Sequence, residues 1–255
     1  MFQRPLRIIS IAAAVIAWEG ASKLINNEII LPSFTSVIQT FYETLISGEL
    51  IVDIGESLLH FGIGIFFGII IAIPIGMAMG WNRKADDLID PLVELTRPIP
   101  PIAWIPFAMV WLHLTHYAAG FIVFIGAVFP ILINTYSGFR EVPRVLVESA
   151  MVLGCTSNME LIKKVAFPFA LPSIATGIRI AMGVGWMCVV AAELFGVSNH
   201  GLGYKIWWFK DLHQMDGVLA YMLILGLTSL TIDRVFRYIV DERLLKWKYG
   251  VVMSG

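Results

Sequence analysis

The chain has 255 residues, of which 58% are hydrophobic and only 15% are charged, whereas about a quarter of the residues of soluble proteins are charged. Its mean hydropathy of +0.79 favours a membrane protein. The 18 Lys and Arg residues nearly balance the 19 Asp and Glu residues, so the basic excess that nucleic-acid binding requires is missing. Cys155 and Cys188 are too few for a disulfide framework and lack the spacing of metal ligands, so neither a metal nor another cofactor is predicted.

Charge-free stretches of the sequence predict six membrane-spanning helices. A helix that crosses about 30 Å of hydrocarbon needs about 20 mostly apolar residues. Residues 57–82 carry no charge, and neither do residues 98–139, which can hold two spans if the polar residues 112–117 form a turn. The predicted spans lie near residues 7–24, 57–81, 99–113, 117–137, 174–197 and 218–239. The sequence therefore predicts an all-α polytopic membrane protein, with a single transmembrane domain over residues 1–255.

The first of these spans has two interpretations. Arg4 and Arg7 precede its apolar run and the small residues 20–22 follow it, which is also the pattern of a secretory signal. Because five more spans follow, a retained first helix is the favoured interpretation.

The distribution of Lys and Arg predicts the orientation, because positive residues remain on the cytoplasmic side of a membrane. Residues 24–82 contain no Lys or Arg but five acidic side chains, so this segment is predicted to face outward. Positive side chains follow the second, fourth and sixth spans instead: Arg83, Lys84, Arg97, Arg140, Arg144, Lys163, Lys164, Arg234, Arg237, Arg243, Lys246 and Lys248. The sequence therefore predicts a multi-pass protein of the cell (inner) membrane with both termini in the cytoplasm.

Two connections between spans are long enough to contain helices of their own. The outer segment 26–56 has apolar residues at helical spacing, which predicts an amphipathic helix at the membrane interface: Val37, Ile38, Phe41, Leu45 and Ile46. The cytoplasmic segment 138–172 has a second such set, Val145, Leu146, Ser149, Val152 and Leu153. Pro168 and Pro172 are predicted to interrupt regular structure after it. This second helix either binds a partner or caps the bundle.

Stripes of small residues in two spans predict close packing between helices, which lipid by itself does not drive. In the second span the stripe recurs every four residues and predicts a neighbouring helix along its whole length: Gly64, Gly68, Ala72, Gly76 and Gly80. In the fifth span the small residues are Gly177, Ala181 and Gly185, and larger residues lie on the opposite face: Arg179, Met182, Trp186, Val190 and Glu193.

The larger face of the fifth span is predicted to line a translocation pathway through Met182, Trp186, Val190 and Glu193. A carboxylate inside a span is costly and usually faces a cavity or a protein partner, so Glu193 either lines the pathway or makes a structural hydrogen bond to a loop. Arg179 lies 14 residues before it, about 21 Å along a helix axis, so the two cannot pair. For Arg179, snorkelling or pairing within the bundle is favoured.

The third span begins with four prolines within residues 98–106. Proline removes an amide donor and opposes a regular helix, and irregular backbone at membrane depth is tolerated only where it is buried in protein or faces a cavity. This segment either lines the pathway, with Trp104 as the candidate residue, or shapes the start of a helix without a functional role.

Catalytic motifs are missing from the sequence. There is no Gly-x4-Gly-Lys-Ser/Thr segment, so the phosphate-binding loop of a nucleotide hydrolase is absent. The five histidines, His60, His113, His116, His200 and His213, have neither metal-ligand nor triad spacing, and His113 and His116 are predicted to mark a wet outer turn. The chain is therefore not predicted to be an enzyme.

Three motifs resemble those of a known family. Residues 148–154 and the following Pro168 resemble the Glu-Ala-Ala-x3-Gly-x9-Ile-x-Leu-Pro signature of ABC importer permeases. Glu148, Ala150, Gly154 and Pro168 match it, Ser149 replaces an alanine, and the spacing from Gly154 to Pro168 is one residue longer. Residues 90–106 and 177–203 are similar to permeases of the nitrate/sulfonate/taurine branch, and the likeness extends from about residue 31 to the last span.

This resemblance implies a type I ABC importer permease fold. It implies that Glu148, Ser149, Ala150, Gly154 and Pro168 couple the permease to ATPase subunits. The expected assembly has two permease chains as a homodimer in the lipid membrane, two cytoplasmic ATP-binding subunits that hydrolyse ATP, and an extracytoplasmic substrate-binding protein. The expected solutes are small anions such as nitrate, bicarbonate, taurine or alkanesulfonates.

The alternative function is that of a secondary transporter or channel that works on an ion gradient without ATPase subunits. Such a protein needs ionisable groups at mid-span to bind the coupling ion, and only Glu193 is a candidate for that role.

Overall fold

The computed structural model of the protein describes residues 3–240, with side chains from residue 9 onward. Within that range the chain forms eleven α-helices, one 3-10 turn and one π turn but no strand, which confirms the all-α prediction. The helices are α1 (Gln3–Ile25), α2 (Phe34–Ile46), α3 (Glu49–Trp81), α4 (Arg83–Thr96), α5 (Ile105–Leu112), α6 (His116–Arg140), α7 (Arg144–Val152), α8 (Asn158–Leu161), α9 (Phe167–Leu194), α10 (Leu202–Asp211) and α11 (Met215–Ile239). Arg243, Lys246 and Lys248, on which the predicted orientation partly rests, lie outside the described residues.

Four stretches of the described chain are long and apolar enough to cross a membrane. They are α3, α6, α11 and the continuous helical run Asn158–Leu194, which ends in α9. These four correspond to the predicted spans 57–81, 117–137, 218–239 and 174–197. Helix α1 covers the first predicted span but is not among the four.

The third predicted span, residues 99–113, is shorter in the structure than the sequence suggested. It consists of a 3-10 turn, Pro101–Trp104, followed by α5. Twelve residues at 1.5–2.0 Å each cover roughly 20 Å, less than the hydrocarbon thickness of about 30 Å. The prolines explain the shortening, because they remove amide donors before the helix starts. The residues before them form α4, a helix that the sequence did not predict.

The helix predicted within residues 26–56 is confirmed as α2. The Ser33 hydroxyl caps its first turn by accepting a hydrogen bond from the Ser36 amide at 3.1 Å. Val37 is fully buried, and the Thr40 hydroxyl donates to the Asp216 carboxylate at the start of α11. Helix α2 is therefore fixed to the bundle and does not float free at the interface.

Helices α3 and α6 run parallel and pack closely through the small residues of α3. A Cβ atom added at Gly76 would lie 2.7 Å from the Leu132 carbonyl oxygen of α6, and one added at Gly80 would lie 2.7 Å from that of Tyr136. Ala72 is fully buried between them. The predicted neighbour along the whole stripe is thus confirmed, and it is α6.

The small face of α9 packs against the other side of α6, in the opposite direction. An added Cβ at Gly177 would lie 2.9 Å from the Pro130 carbonyl oxygen, and one at Gly185 would lie 3.2 Å from Val123. Ala181 between them is fully buried. Helix α6 is therefore the centre of the bundle, with the start of α6 and the end of α9 together at one end and α7 at the other.

Candidate functional site

Helix α7 projects from the bundle with none of its residues buried. Pro143 precedes it at the N-cap position, where a missing amide donor costs nothing. Large apolar side chains at its far end are almost fully open, with Val152 and Leu153 exposed to 88% and 86%. Glu148 is also exposed. An exposed apolar surface of this kind on a short helix is typical of a protein interaction site.

Gly154 ends α7 in a left-handed conformation, with φ of +97°. The Gly154 amide donates to the Met151 carbonyl, and the Cys155 amide donates to the Ala150 carbonyl, both at 3.0 Å. This pair of bonds is the Schellman motif, which requires a positive φ at the residue that Gly154 occupies. A Cβ atom added there would meet nothing within 4 Å. The glycine thus serves the backbone turn, and the space beside it stays open.

A π turn lies between Gly154 and Pro168, whose spacing is one residue longer than in the signature. Residues Ile162–Ala166 form this turn between α8 and α9. A π turn closes i→i+5 hydrogen bonds and so contains one residue more than an α turn. Pro168 follows in the first turn of α9 and Pro172 lies inside α9, so the predicted interruption of the helix at these prolines is wrong.

A groove of about 570 Å³ lies between α9 and α11. Its lining includes Arg179, Met182 and Trp186 from α9. Arg179 Nε donates to Asp233 Oδ1 of α11 at 3.1 Å, which confirms the pairing within the bundle that the sequence favoured for Arg179. Two of the predicted pathway residues therefore share one groove, with an ion pair in its wall.

The predicted pathway residues of α9 differ in exposure. Val190 and Met182 are half-buried, whereas Trp186 is 5% exposed and lies edge-on against Phe61 of α3, with ring centroids 5.6 Å apart. The most exposed side chain on this part of α9 is Met187. In a single chain the most exposed side of α9 is therefore the one that carries Met187. The face predicted to line the pathway lies next to it and turns partly toward α3 and α11.

The proline-rich segment borders a second groove, of about 360 Å³. Arg97, Gly126, Asn134 and Val184 are among its lining residues, which places Arg97 beside α6 and α9. No hydrogen bond or ion pair involves the Arg97 guanidinium within the described part of the chain. Trp104 lies nearby and is half-buried, with its ring centroid 6.4 Å from that of Phe121.

Two indole N–H groups in this region have no acceptor. Trp104 Nε1 and Trp186 Nε1 are both shielded, and neither has a hydrogen-bond partner among residues 9–240. A shielded donor without a partner is costly, so these two positions are suited to a polar ligand or a water molecule.

Glu193 lies at the centre of a buried polar cluster and is fully buried. Its carboxylate accepts hydrogen bonds from the Ser57 hydroxyl at 2.9 Å, from the Gly203 amide at 2.8 Å and from His60 Nδ1 at 2.8 Å. The predicted structural hydrogen bond to a loop is thus present, through Gly203 at the start of α10. These bonds fix the loop after α9 against α3.

Asp53 extends this cluster toward α11. Its carboxylate accepts from the Tyr221 hydroxyl at 2.9 Å and from the Gly201 amide at 3.4 Å. The Ser57 hydroxyl also accepts from the Leu202 amide at 2.9 Å. Asp53, Ser57 and Tyr221 were not predicted as members of a site. Because Asp53, Ser57 and His60 share one face of α3 at helical spacing, that stripe is the signal that could have identified them.

Comparison with known proteins places the chain among transport permeases. Residues 64–244 match the family described as binding-protein-dependent transport system inner membrane component. The chain is 44% identical over 241 residues to a putative ABC transporter permease protein of Methanocaldococcus jannaschii, covering 93% of this chain and 90% of that protein. It is 31% identical over 238 residues to the putative aliphatic sulfonates transport permease protein of Bacillus subtilis, covering 93% and 85%.

A third relative is the bicarbonate transport system permease protein of Synechococcus elongatus, 37% identical over 178 residues, which cover 70% of this chain and 64% of that protein. A solved structure of a methionine ABC transporter in an inward-facing conformation resembles the fold with a TM-score of 0.59 and 22% identity. That match covers 76% of this chain and 97% of the other. It concerns the fold alone, and it confirms the predicted type I ABC importer permease-like architecture.

Proposed function

Because the chain belongs to the family of binding-protein-dependent transport system inner membrane components, we propose that it is the transmembrane permease subunit of an ATP-driven importer of a small anion. Helix α7 carries this proposal. It is a short exposed helix with apolar side chains at one end of a membrane bundle, and it has the sequence that resembles the coupling signature. ATP hydrolysis belongs to separate subunits in this proposal, and the chain itself is not an enzyme.

The proposed coupling surface consists of Glu148, Ser149, Ala150 and Gly154 on α7, supported by Pro168 at the start of α9. It lies at the end of the bundle that carries Arg144, Lys163 and Lys164, so we assign this end to the cytoplasm by the positive-inside rule. Both termini then lie in the cytoplasm as well. The opposite end, with the start of α6, faces the substrate-binding protein.

The proposed assembly contains two copies of this chain, two ATP-binding subunits and one extracytoplasmic binding protein. The pathway runs between the two permease copies, along Met182, Trp186 and Val190 of α9 and past Trp104. The unpaired indole N–H groups of the two tryptophans support this route, because they offer donors to an anion or to water. Glu193 does not line this route in the proposal. It fixes the end of α9 against α3 and the start of α10, since hydrogen bonds from both enclose its carboxylate.

Arg97 supports an anionic solute. Its guanidinium lines the groove beside α6 and α9. Among the described residues, no carboxylate lies within ion-pair distance of it. A guanidinium in that environment attracts carboxylate, sulfonate or similar anions and can bind them in a bidentate manner. The permeases of aliphatic sulfonates and bicarbonate among the relatives agree with this class of solute.

The coupling proposal is tested by placing Arg at Gly154 in the purified complex reconstituted into liposomes. The matched control is Gly48→Arg, because Gly48 also has a positive φ, of +79°, and open space around its Cβ position. Gly154→Arg should reduce ATP-dependent uptake at least tenfold and should abolish stimulation of ATP hydrolysis by the loaded binding protein. Gly48→Arg should change neither. Normal uptake by Gly154→Arg, with normal recovery of the complex, would refute the coupling role.

The anion proposal is tested at Arg97 with uptake of an alkanesulfonate and of bicarbonate. Arg97→Gln should reduce uptake of the transported anion at least tenfold, and Arg97→Lys should retain part of it because the positive charge remains. Arg83→Gln is the control, since Arg83 is an exposed arginine at the start of the preceding helix. Equal uptake by Arg97→Gln and Arg83→Gln would exclude a role of Arg97 in anion transport.

A further inference from the structure

At the end of the bundle opposite α7, three side chains of metal-ligand type converge from two helices. They are Glu56 and His60 of α3 and His116, the first residue of α6. The candidate ligand atoms of these residues all lie within 4.8 Å of one another. We propose that Glu56, His60 and His116 bind a transition-metal ion of the Zn²⁺ class. This site is independent of the transport function proposed above.

Two of the three separations between the ligand atoms are close to those around a bound ion. His60 Nε2 lies 3.0 Å from His116 Nδ1, and His116 Nδ1 lies 3.2 Å from Glu56 Oε2. Tetrahedral Zn²⁺ with ligands at about 2.0–2.1 Å separates its ligand atoms by about 3.3 Å. These two pairs of ligand atoms need to move apart by only a few tenths of an ångström to reach that separation.

Glu193 provides the outer support that metal-binding histidines usually have. Its Oε1 lies 2.8 Å from His60 Nδ1, and both side chains are fully buried. A histidine that donates its second ring N–H to a carboxylate is held in one tautomer and becomes a better ligand. If His60 donates from Nδ1 to Glu193, the lone pair of His60 Nε2 points toward His116.

The same atoms lack enough protons to satisfy one another through hydrogen bonds alone. His60 Nε2 and Glu56 Oε2 are both acceptors, and the Nδ1 proton of His116 is the single donor between them. Glu56 Oε2 is shielded from solvent and has no hydrogen-bond partner in the described part of the chain, because the approach of His116 Nδ1 is poorly aligned. A cation would fill these lone pairs, which accounts for the convergence of the three groups.

The ligand atoms indicate which metal the site would bind, and the exposure of the side chains shows how an ion would reach it. Two imidazole nitrogens with one carboxylate oxygen favour Zn²⁺ over Mg²⁺ or Ca²⁺, which prefer oxygen ligands. The His116 side chain is 48% exposed and that of Glu56 is 26% exposed, so an ion can reach the site and a water molecule can take the fourth position. A bound ion would clamp α3 to α6 at this end of the bundle.

The site is tested with the full-length chain, purified in detergent and stripped of metal with a chelator. Calorimetric titration with Zn²⁺ should give one bound ion per chain, and Co²⁺ should give the visible absorption of a tetrahedral site. His116→Asn and Glu56→Gln should each weaken Zn²⁺ binding at least tenfold. The control is His113→Asn, which removes the exposed histidine of the same turn and should bind Zn²⁺ as the parent chain does.

Thermal unfolding adds a second measurement that does not depend on transport. Zn²⁺ should raise the unfolding temperature of the parent chain and of His113→Asn, because a ligand that binds only the folded state stabilises it. It should not do so for His116→Asn. The proposal is overturned if the folded parent chain takes up no Zn²⁺ in a saturable manner. It is equally overturned if His116→Asn binds Zn²⁺ as tightly as His113→Asn does.

Discussion

Substituting Gly76 by Ala should destabilise the bundle, whereas the same substitution at Gly62 in the same helix should not. A Cβ atom at Gly76 would lie 2.7 Å from the Leu132 carbonyl oxygen and 2.8 Å from Thr135 Cβ, and ordinary contacts begin at 3.4 Å. Neither neighbouring atom can rotate away, because both are fixed by the backbone of α6. Helices α3 and α6 must therefore separate locally by about 0.7 Å, the difference between 3.4 and 2.7 Å.

The free-energy cost follows from that separation. A gap of 0.5–1 Å loses about a quarter to a half of the dispersion energy of the atoms that line it, and overpacking of this kind costs about 1–3 kcal/mol. Ala favours helix over Gly by about 1 kcal/mol, a gain that applies equally to Gly62, where an added Cβ meets nothing within 4 Å. Gly76→Ala should therefore be about 1–3 kcal/mol less stable than Gly62→Ala.

Thermal unfolding of the two purified variants in the same detergent measures this difference. A chain of this size changes its unfolding temperature by about 2–4 °C per kcal/mol, so the two variants should differ by about 2–12 °C. If Gly76→Ala unfolds at the same temperature as Gly62→Ala, the close packing of α3 on α6 is not as described.

Three further predictions concern the pathway, the polar cluster and the nucleotide. In a chain without its two native cysteines, Cys at Met182 or Val190 should react with a small aqueous thiol reagent to an extent that changes with ATP. Cys at Ala181 should stay protected. Equal, ATP-independent reaction at all three positions would indicate that the pathway runs along the proline-rich segment instead. Ser57→Ala should lower the free energy of unfolding by about 1–3 kcal/mol, because it removes a buried hydroxyl that joins the carboxylate of α9 to the loop after it. Thr231→Ala, which removes an exposed hydroxyl, should leave the free energy of unfolding unchanged. Equal stability of the two variants in thermal unfolding would contradict a structural role for the cluster. The isolated chain should not bind ATP at micromolar concentration in equilibrium dialysis, since its sequence has no phosphate-binding loop, and saturable binding would refute that inference.

Local patterns predicted much of the architecture. The small residues of α3 and α9 indicated close neighbours, and both stripes pack on α6 as a four-residue repeat requires. The positions of α2 and α7 also followed from helical spacing. Residues 99–113 were predicted less well, because an apolar composition does not reveal how far four prolines shorten a helix.

Contacts between residues that are far apart in the sequence could not be predicted from the sequence alone. His60 and His116 lie 56 positions apart and on different helices, so their spacing resembled no metal motif, although their ring nitrogens are 3.0 Å apart in the fold. For Glu193 the sequence left a pathway role and a structural hydrogen bond to a loop open, and its partners, which come from α3 and from the amide of Gly203, could not be predicted. The longer spacing from Gly154 to Pro168 was visible in the sequence, but the π turn that lies within it was not.

We infer that this chain transports its solute only together with ATP-hydrolysing partners. The most direct measurement is uptake of a radiolabelled alkanesulfonate or bicarbonate into liposomes that contain either the chain alone or the chain with its ATP-binding subunits, the loaded binding protein being outside and ATP inside. We predict uptake above the level of protein-free liposomes only for the full assembly and only with hydrolysable ATP. Uptake by the chain alone, driven by an imposed ion gradient, would contradict the account.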